Sequence, residues 1–298
     1  MLMKNITLLQ KKKLKKENST VLGLVPFPKS IDSSYDKVLG DVLKDAHKSV
    51  QELVPSILAY VQDYNVTNKL FDSVNGDYGT INDYMEGLFS DTIDEYNSRT
   101  DTYTTIASDF VEGVNDYSQG KLIKMITSKY KNTTPAEVIL KEVQNTFVSN
   151  AVVKGISTNT KLIKSIPNQY LNQVQDILTE KFSTLVGLPS TDTKSLIQHL
   201  VDGRLEVGES RVKIIARDQT HKVVADFNNA RYTSYGVVKG IWKVADTSNR
   251  LRESHRLLAD QEYVINVGIQ SGSKYIKPAE EVLCRCDVIP IIPEGTFK

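Results

Sequence analysis

The chain has 298 residues, 40% hydrophobic and 24% charged, and its 37 Lys and Arg nearly cancel 36 Asp and Glu to leave a formal charge of +1. That length exceeds what one hydrophobic core usually organises, so two packed regions or one domain with a long helical extension are expected. The composition excludes disordered and collagen-like chains, and no apolar run approaches the roughly eighteen residues of a membrane-spanning helix.

The near-zero charge is a cancellation. In the first thirty-one residues Lys4, Lys11, Lys12, Lys13, Lys15, Lys16 and Lys29 face Glu17 alone. This makes a basic arm suited to phosphates or to an acidic protein surface. Leu8, Leu9 and Leu14 among these lysines would allow a short amphipathic docking helix. The lysines also interrupt the apolar start, and no cleavable leader pattern is seen, so secretion is unsupported. Val21 to Pro28 reads as an extended, proline-broken strap.

Helices are expected next. Val38, Val42, Ala46, Val50, Val54 and Leu58 predict one from about Tyr35 to Tyr64, continuous or interrupted at Pro55. Ile81 to Ser98 and Asp101 to Tyr117 predict two amphipathic helices inside a block, Asp72 to Asp116, where eleven acidic residues meet only Arg99. Thr134-Pro135-Ala136-Glu137 is a capping box with proline at the first helical position, and a helix to about Val153 should follow. Further helices are expected over Pro167 to Val186 and over Asp192 to Leu200, the latter stopping before Gly203. No glycine-rich phosphate loop or strand-helix alternation accompanies them.

Beyond this point the pattern changes. Glu209 to Tyr235 predicts a long helix capped by Gly236, carrying Gln219 on its buried face. Strands are expected around Trp242 (Val237 to Val244), over Tyr263 to Ile269, and over Val282 to Ile292, closed by Pro290 and Pro293; a short helix carries Leu251, His255 and Leu258. The fold class is therefore α+β: a mainly α-helical N-terminal region and a long helix leading into a small C-terminal α+β domain. The linear division is 1–34 (basic arm and strap), 35–205 (helical region) and 206–298 (C-terminal domain).

Two cysteines, Cys284 and Cys286, are too few for a disulfide framework and suit a reduced compartment or a small local site. Two apart on a strand, they would share a face, and with His255 and Asp246 could give zinc four ligands. Zinc sites, however, prefer a Cys-x-x-Cys knuckle, whose turn aims both sulfurs at one point. The other reading is a polar knot in which Asp246 orients His255, Arg252 and Gln219 make buried hydrogen bonds, and the cysteines serve as small hydrophobes. His221, mid-helix, is assigned to a solvated face. Trp242 is expected to anchor the C-terminal core.

From about Ile215 to Ile292 the residues resemble the phage Mu F-like head morphogenesis, or minor head, proteins of tailed bacteriophages. The resemblance is carried by Ala216-Arg217-Asp218-Gln219-Thr220, Asn228 and Arg231 on the long helix, Gly236, Trp242, then Asp246, Arg252 and His255, and finally Pro278, Cys284-Arg285-Cys286 and Pro290. The family's helix often has Thr-Glu where this chain has Asp218-Gln219, and a glycine where it has Ala259-Asp260. The resemblance implies a non-enzymatic minor capsid protein inside the virion at the portal vertex, assembled in the host cytoplasm. Its implied partners are the portal protein, a major capsid or scaffolding protein and packaged double-stranded DNA, with no membrane in the assembled head. Its implied work is capsid assembly and genome organisation or ejection. The alternative is a nuclease or other effector packaged in the head and delivered with the DNA.

Overall fold

The structure, a computed structural model, describes residues 19–71, 78–144, 146–244 and 251–298, with side chains throughout except over 65–71 and 78–80. The arm lysines (Lys4, Lys11, Lys12, Lys13, Lys15, Lys16) and Asp246 lie outside these residues. The protein is mainly helical with a small antiparallel sheet near the C-terminus, an α+β architecture. Among the described residues the order is β1 (Ser19–Val21), α1 (Lys29–Phe71), α2 (Tyr78–Ser98), α3 (Thr100–Lys129), α4 (Pro135–Val143), α5 (Phe147–Glu180), α6 (Phe182–Leu185) and α7 (Ser190–Ser234), then β2 (Lys239–Val244), α8 (Glu253–Arg256), β3 (Glu262–Val264), β4 (Ile269–Ser271), β5 (Lys274–Ile276) and β6 (Cys286–Pro293). No described helix is long and apolar enough to cross a membrane.

The chain divides into two compact units, each discontinuous: residues 1–33, 108–157 and 217–298 form one, and 34–107 with 158–216 the other. Every boundary falls inside a helix, α1, α3, α5 or α7. The units thus cut across the linear division at 34 and 205. A continuous helix carries no linker composition to mark where its packing partners change.

In the all-helical unit, α1 buries Leu39, Leu43, Ala46, Val50, Val54, Ile57 and Val61. The expected stripe of strict four-residue steps drifts around the helix: Val38 is 37% exposed and Leu58 only half-buried, because alternating three- and four-residue steps are what a 3.6-residue turn keeps on one face. Helix α1 passes through Pro55, and α5 through Pro167, where a helix start was expected. An interior proline costs roughly 3 kcal/mol, and buried neighbours (Val54 and Ile57; Ile163, Ile166, Tyr170 and Leu171) offset it. Helix α7 likewise runs on through Gly203 instead of ending before it. A mid-helix glycine costs only about 1 kcal/mol, less than the burial of Ile197, Val201 and Val212 on the same helix contributes.

In the other unit the capping box forms as written. The Thr134 hydroxyl accepts from the Glu137 N–H at 3.3 Å, and the Glu137 carboxylate accepts from the Thr134 N–H at 2.8 Å. The helix it starts ends at Val143, however, and α5 begins at Phe147. The sheet order is β1-β6-β2-β3, all antiparallel. Val21 of the strap belongs to β1, and Leu22 and Val25 are buried. β6 contains Pro290 and Pro293 rather than being closed by them. β1 stops at Val21, opposite Ile291, one residue short of meeting Pro290, whose missing N–H would open the ladder. Ile241, Ile289 and Ile291 form the sheet's core with Val21 and Leu24 packed against them.

Two strand expectations are corrected. The run Tyr263 to Ile269 turns after Val264, where the N–H groups of Val267 and Gly268 both donate to the Val264 carbonyl and Gly268 sits at φ +94°. The run Val282 to Ile292 becomes strand only at Cys286. Before it the chain turns, with Leu283 at φ +58°.

Candidate functional site

Of the residues singled out on sequence grounds, Trp242, His255, Cys284 and Cys286 meet at the start of β6. Cys286 is its first residue, paired with Val244 at the end of β2. Cys284 precedes it on the turn rather than on the strand, so the two sulfurs meet by folding of the turn and not by sharing a strand face. The Cys286 N–H donates to the Cys284 Sγ at 3.5 Å. His255, from the one-turn helix α8, brings Nδ1 within 3.5 Å of Cys284 Sγ and 3.6 Å of Cys286 Sγ. All three side chains are buried. Trp242, fully buried on β2, closes the site with its ring edge-on to His255 at 5.6 Å. This is the core-anchor role expected of it.

The group that orients His255 is Glu281, which sequence reading missed. His255 Nε2 donates to Glu281 Oε2 at 2.9 Å, while the other carboxylate oxygen accepts from Lys274 at 2.5 Å. The Lys274 bond, with His255 adding to it, holds the Glu281 carboxyl below its ordinary range. In a neutral imidazole this places hydrogen on Nε2 and leaves the Nδ1 lone pair facing the sulfurs. No sequence signal marked Glu281. It is one of several acids near Cys284, and only the turn brings it to the ring.

The thiols are unequal. The hydrogen bond from Cys286 holds the Cys284 thiol well below its usual range, helped by backbone hydrogen bonds from Cys286 and Ala279, and Cys286 is pushed up in consequence. The turn itself is strained: Ala279 and Leu283 are both non-glycine residues at positive φ, +65° and +58°. Asp218 on α7 secures it, accepting from the Leu283 N–H at 2.7 Å. Gln219 and Lys222 both donate to the other oxygen of Asp218.

The polar-knot expectations are met in part. Gln219 is buried and donates to Asp218, as expected of it. Arg252 is not buried: its side chain is 45% exposed, donating to the Val282 carbonyl at 2.8 Å and lying 3.4 Å from Glu281. Arg231 is fully buried, but in a separate network with Glu142, Ser118 and Asn115.

His221 departs from its expected solvated face. Its Nε2 lies 3.2 Å from the Cys286 carbonyl and 3.6 Å from Asp287 Oδ1, and its side chain is only 12% exposed. Burial raises the Asp287 carboxyl to about 6, against the opposing pull of His221. Phe27 of the strap lies between His221, with ring centroids 6.1 Å apart, and Arg217, whose guanidinium sits 3.9 Å from its ring. A cavity of about 210 Å³ opens here, lined by Phe27, Arg217, Asp218, His221, Arg285 and Asp287 as well as by Cys284.

No family model matches the chain, and no solved structure matches it. An uncharacterized protein of Haemophilus influenzae (strain ATCC 51907 / DSM 11121 / KW20 / Rd) is 29% identical to it over 201 residues, covering 66% of this chain and 41% of that protein. The chain thus spans about two-fifths of the length of that relative.

Proposed function

We propose that this chain is a minor head protein of a tailed bacteriophage, bound to the portal inside the capsid and acting in capsid assembly and in genome organisation or ejection. The reading rests on the ordered set Trp242, Arg252, His255, Cys284 and Cys286, which resembles the Mu F-like minor head proteins. In support, Trp242, His255, Cys284 and Cys286 pack as one unit at β2, α8 and β6. The separation of charge agrees with such a role, since a basic arm and an acidic block let one chain address DNA and protein surfaces of opposite sign. The portal protein, a major capsid or scaffolding protein and double-stranded DNA are its proposed partners. Purifying particles and asking whether the chain travels with portal and capsid tests this; recovery only in the soluble host fraction would overturn it.

A head-packaged nuclease is the second reading, and one observation favours keeping it. The cavity beside the strap gathers His221 and Asp287, an acid-base pair, with Arg285, with Arg217, which also holds Asp32 at 3.1 Å, and with Asp218. His221, not the enclosed His255, is therefore the residue to vary. Turnover of labelled RNA or DNA by the pure chain, lost in His221→Ala, would establish the nuclease; the structural role predicts no turnover by either protein.

A further inference from the structure

We infer that His255, Cys284 and Cys286 form a zinc site that locks the turn before β6 onto α8. The donors are one imidazole nitrogen and two sulfurs, with ligand atoms all within 4.8 Å of one another. Zinc binds sulfur at about 2.3 Å and imidazole nitrogen at about 2.0 Å, so the nitrogen-sulfur edge of a regular tetrahedron around it is about 3.5 Å. The two observed edges, 3.5 and 3.6 Å, match that figure.

Three further features point the same way. Glu281 receives the Nε2 hydrogen of His255, the carboxylate-histidine arrangement that aims the opposite nitrogen at a metal. The turn before Cys284, with Leu283 at φ +58° and its N–H bonded to Asp218, sets Cys284 Sγ beside Cys286 Sγ so that both face the same imidazole nitrogen. The Cys286 N–H donates to the Cys284 sulfur, a bond that suits a thiolate better than a neutral thiol. Asp246, the fourth ligand expected from sequence, lies outside the described residues, and the three named ligands carry the site. All three are at most 5% exposed, so the ligands are enclosed, and a structural zinc takes a fourth ligand beside them. Binding would displace thiol protons to solvent, and its free energy would add to that of folding.

The test uses the full chain, purified without chelator. Elemental analysis should give one zinc per chain, retained on dialysis and lost in His255→Ala and in Cys284→Ser. Glu281→Gln should bind zinc with about 10- to 100-fold lower affinity, the effect expected of an outer-shell partner. If the cysteine variant fails to fold, the wild-type chain still decides. Exchange with Co²⁺ should produce thiolate-to-cobalt charge-transfer absorption, and a zinc chelator should abolish it and lower the melting temperature. A chain purified free of zinc, whose melting temperature added Zn²⁺ does not move and which shows no such absorption with Co²⁺, would overturn the site. So would zinc content unchanged in both variants.

Discussion

Arg231 and Glu142 form an ion pair closed from water: the guanidinium Nε donates to the carboxylate at 3.1 Å, and the side chains are 0% and 3% exposed. Arg231 also donates to Ser118 Oγ and to both the carbonyl and side-chain oxygens of Asn115, and the Tyr235 hydroxyl donates to the other oxygen of Glu142. The pair ties short α4 to long α7, with α3 supplying the remaining acceptors. Removing one partner leaves a buried charge unpaired, so Arg231→Ala should cost about 3–5 kcal/mol in urea unfolding. The double variant Arg231→Met/Glu142→Met, which removes both charges, should cost less than the sum of its singles.

The start of α4 gives a smaller, local prediction. Thr134→Ala removes the hydroxyl that accepts from the Glu137 N–H, and should lower stability by about 1 kcal/mol. Amide exchange should speed up in the first turn of α4 while the sheet keeps its protection.

Two glycines should respond with opposite signs. A Cβ on Gly240 would lie 2.4 Å from Val288 Cγ2 and 3.3 Å from Ile265 Cγ1, and valine's branched side chain has little room to turn away. Gly240→Ala should therefore destabilise by about 1–3 kcal/mol. A Cβ on Gly87, on α2, meets nothing within 4 Å. Gly87→Ala should stabilise by up to about 1 kcal/mol. Thermal melts of both variants beside the wild type check the pair.

Acid should weaken the helical unit through Asp45. Burial alone would raise this carboxyl, but hydrogen bonds from Arg99 and Tyr96 outweigh it and hold it below its ordinary value. A depressed carboxyl contributes stability above its unfolded value and loses it as pH falls through the folded one. The side chain is 50% exposed, so solvent screens the pair and the contribution is about 0.5–1 kcal/mol. Asp45→Asn should lower stability at neutral pH and match the wild type near pH 2.

The lysine-rich arm makes the DNA proposal quantitative. If Lys4, Lys11, Lys12, Lys13, Lys15 and Lys16 all neutralise phosphates, log affinity for duplex DNA should fall against log salt with a slope of about −5. Deleting residues 1–17 should abolish most of that slope. A truncated chain with unchanged DNA retention and unchanged portal attachment would show that the arm docks on neither.

Local chemistry made much of the fold legible. The capping box of Thr134 and Glu137 formed as read because all its parts lie within four residues. Periodicity located the helices of the acidic block and the long C-terminal helix but not all their ends: α3 runs on to Lys129 rather than stopping at Tyr117, and α7 begins at Ser190 rather than Glu209. Helix continuity through Pro55, Pro167 and Gly203 was not legible, because local propensity argues for a break and only the buried residues on either side outweigh it. Pro290 misled in the same way: it was read as an end, yet it sits inside β6 where β1 has already stopped.

For the site, the sequence by itself determined the cast: Trp242, His255, Cys284, Cys286 and the basic arm are visible as residue types in order. Tertiary structure decided their roles. It bent Cys284 off the strand, supplied Glu281 to orient His255, and moved Arg231 into a separate network with Glu142. It also enclosed His221 between Phe27 and Asp287. Residue order records which chemical groups are present, whereas burial, tautomer and ligand geometry depend on contacts between residues 26 to 31 apart around His255 and 89 apart between Arg231 and Glu142. Those contacts are set by packing free energy, which no local pattern encodes.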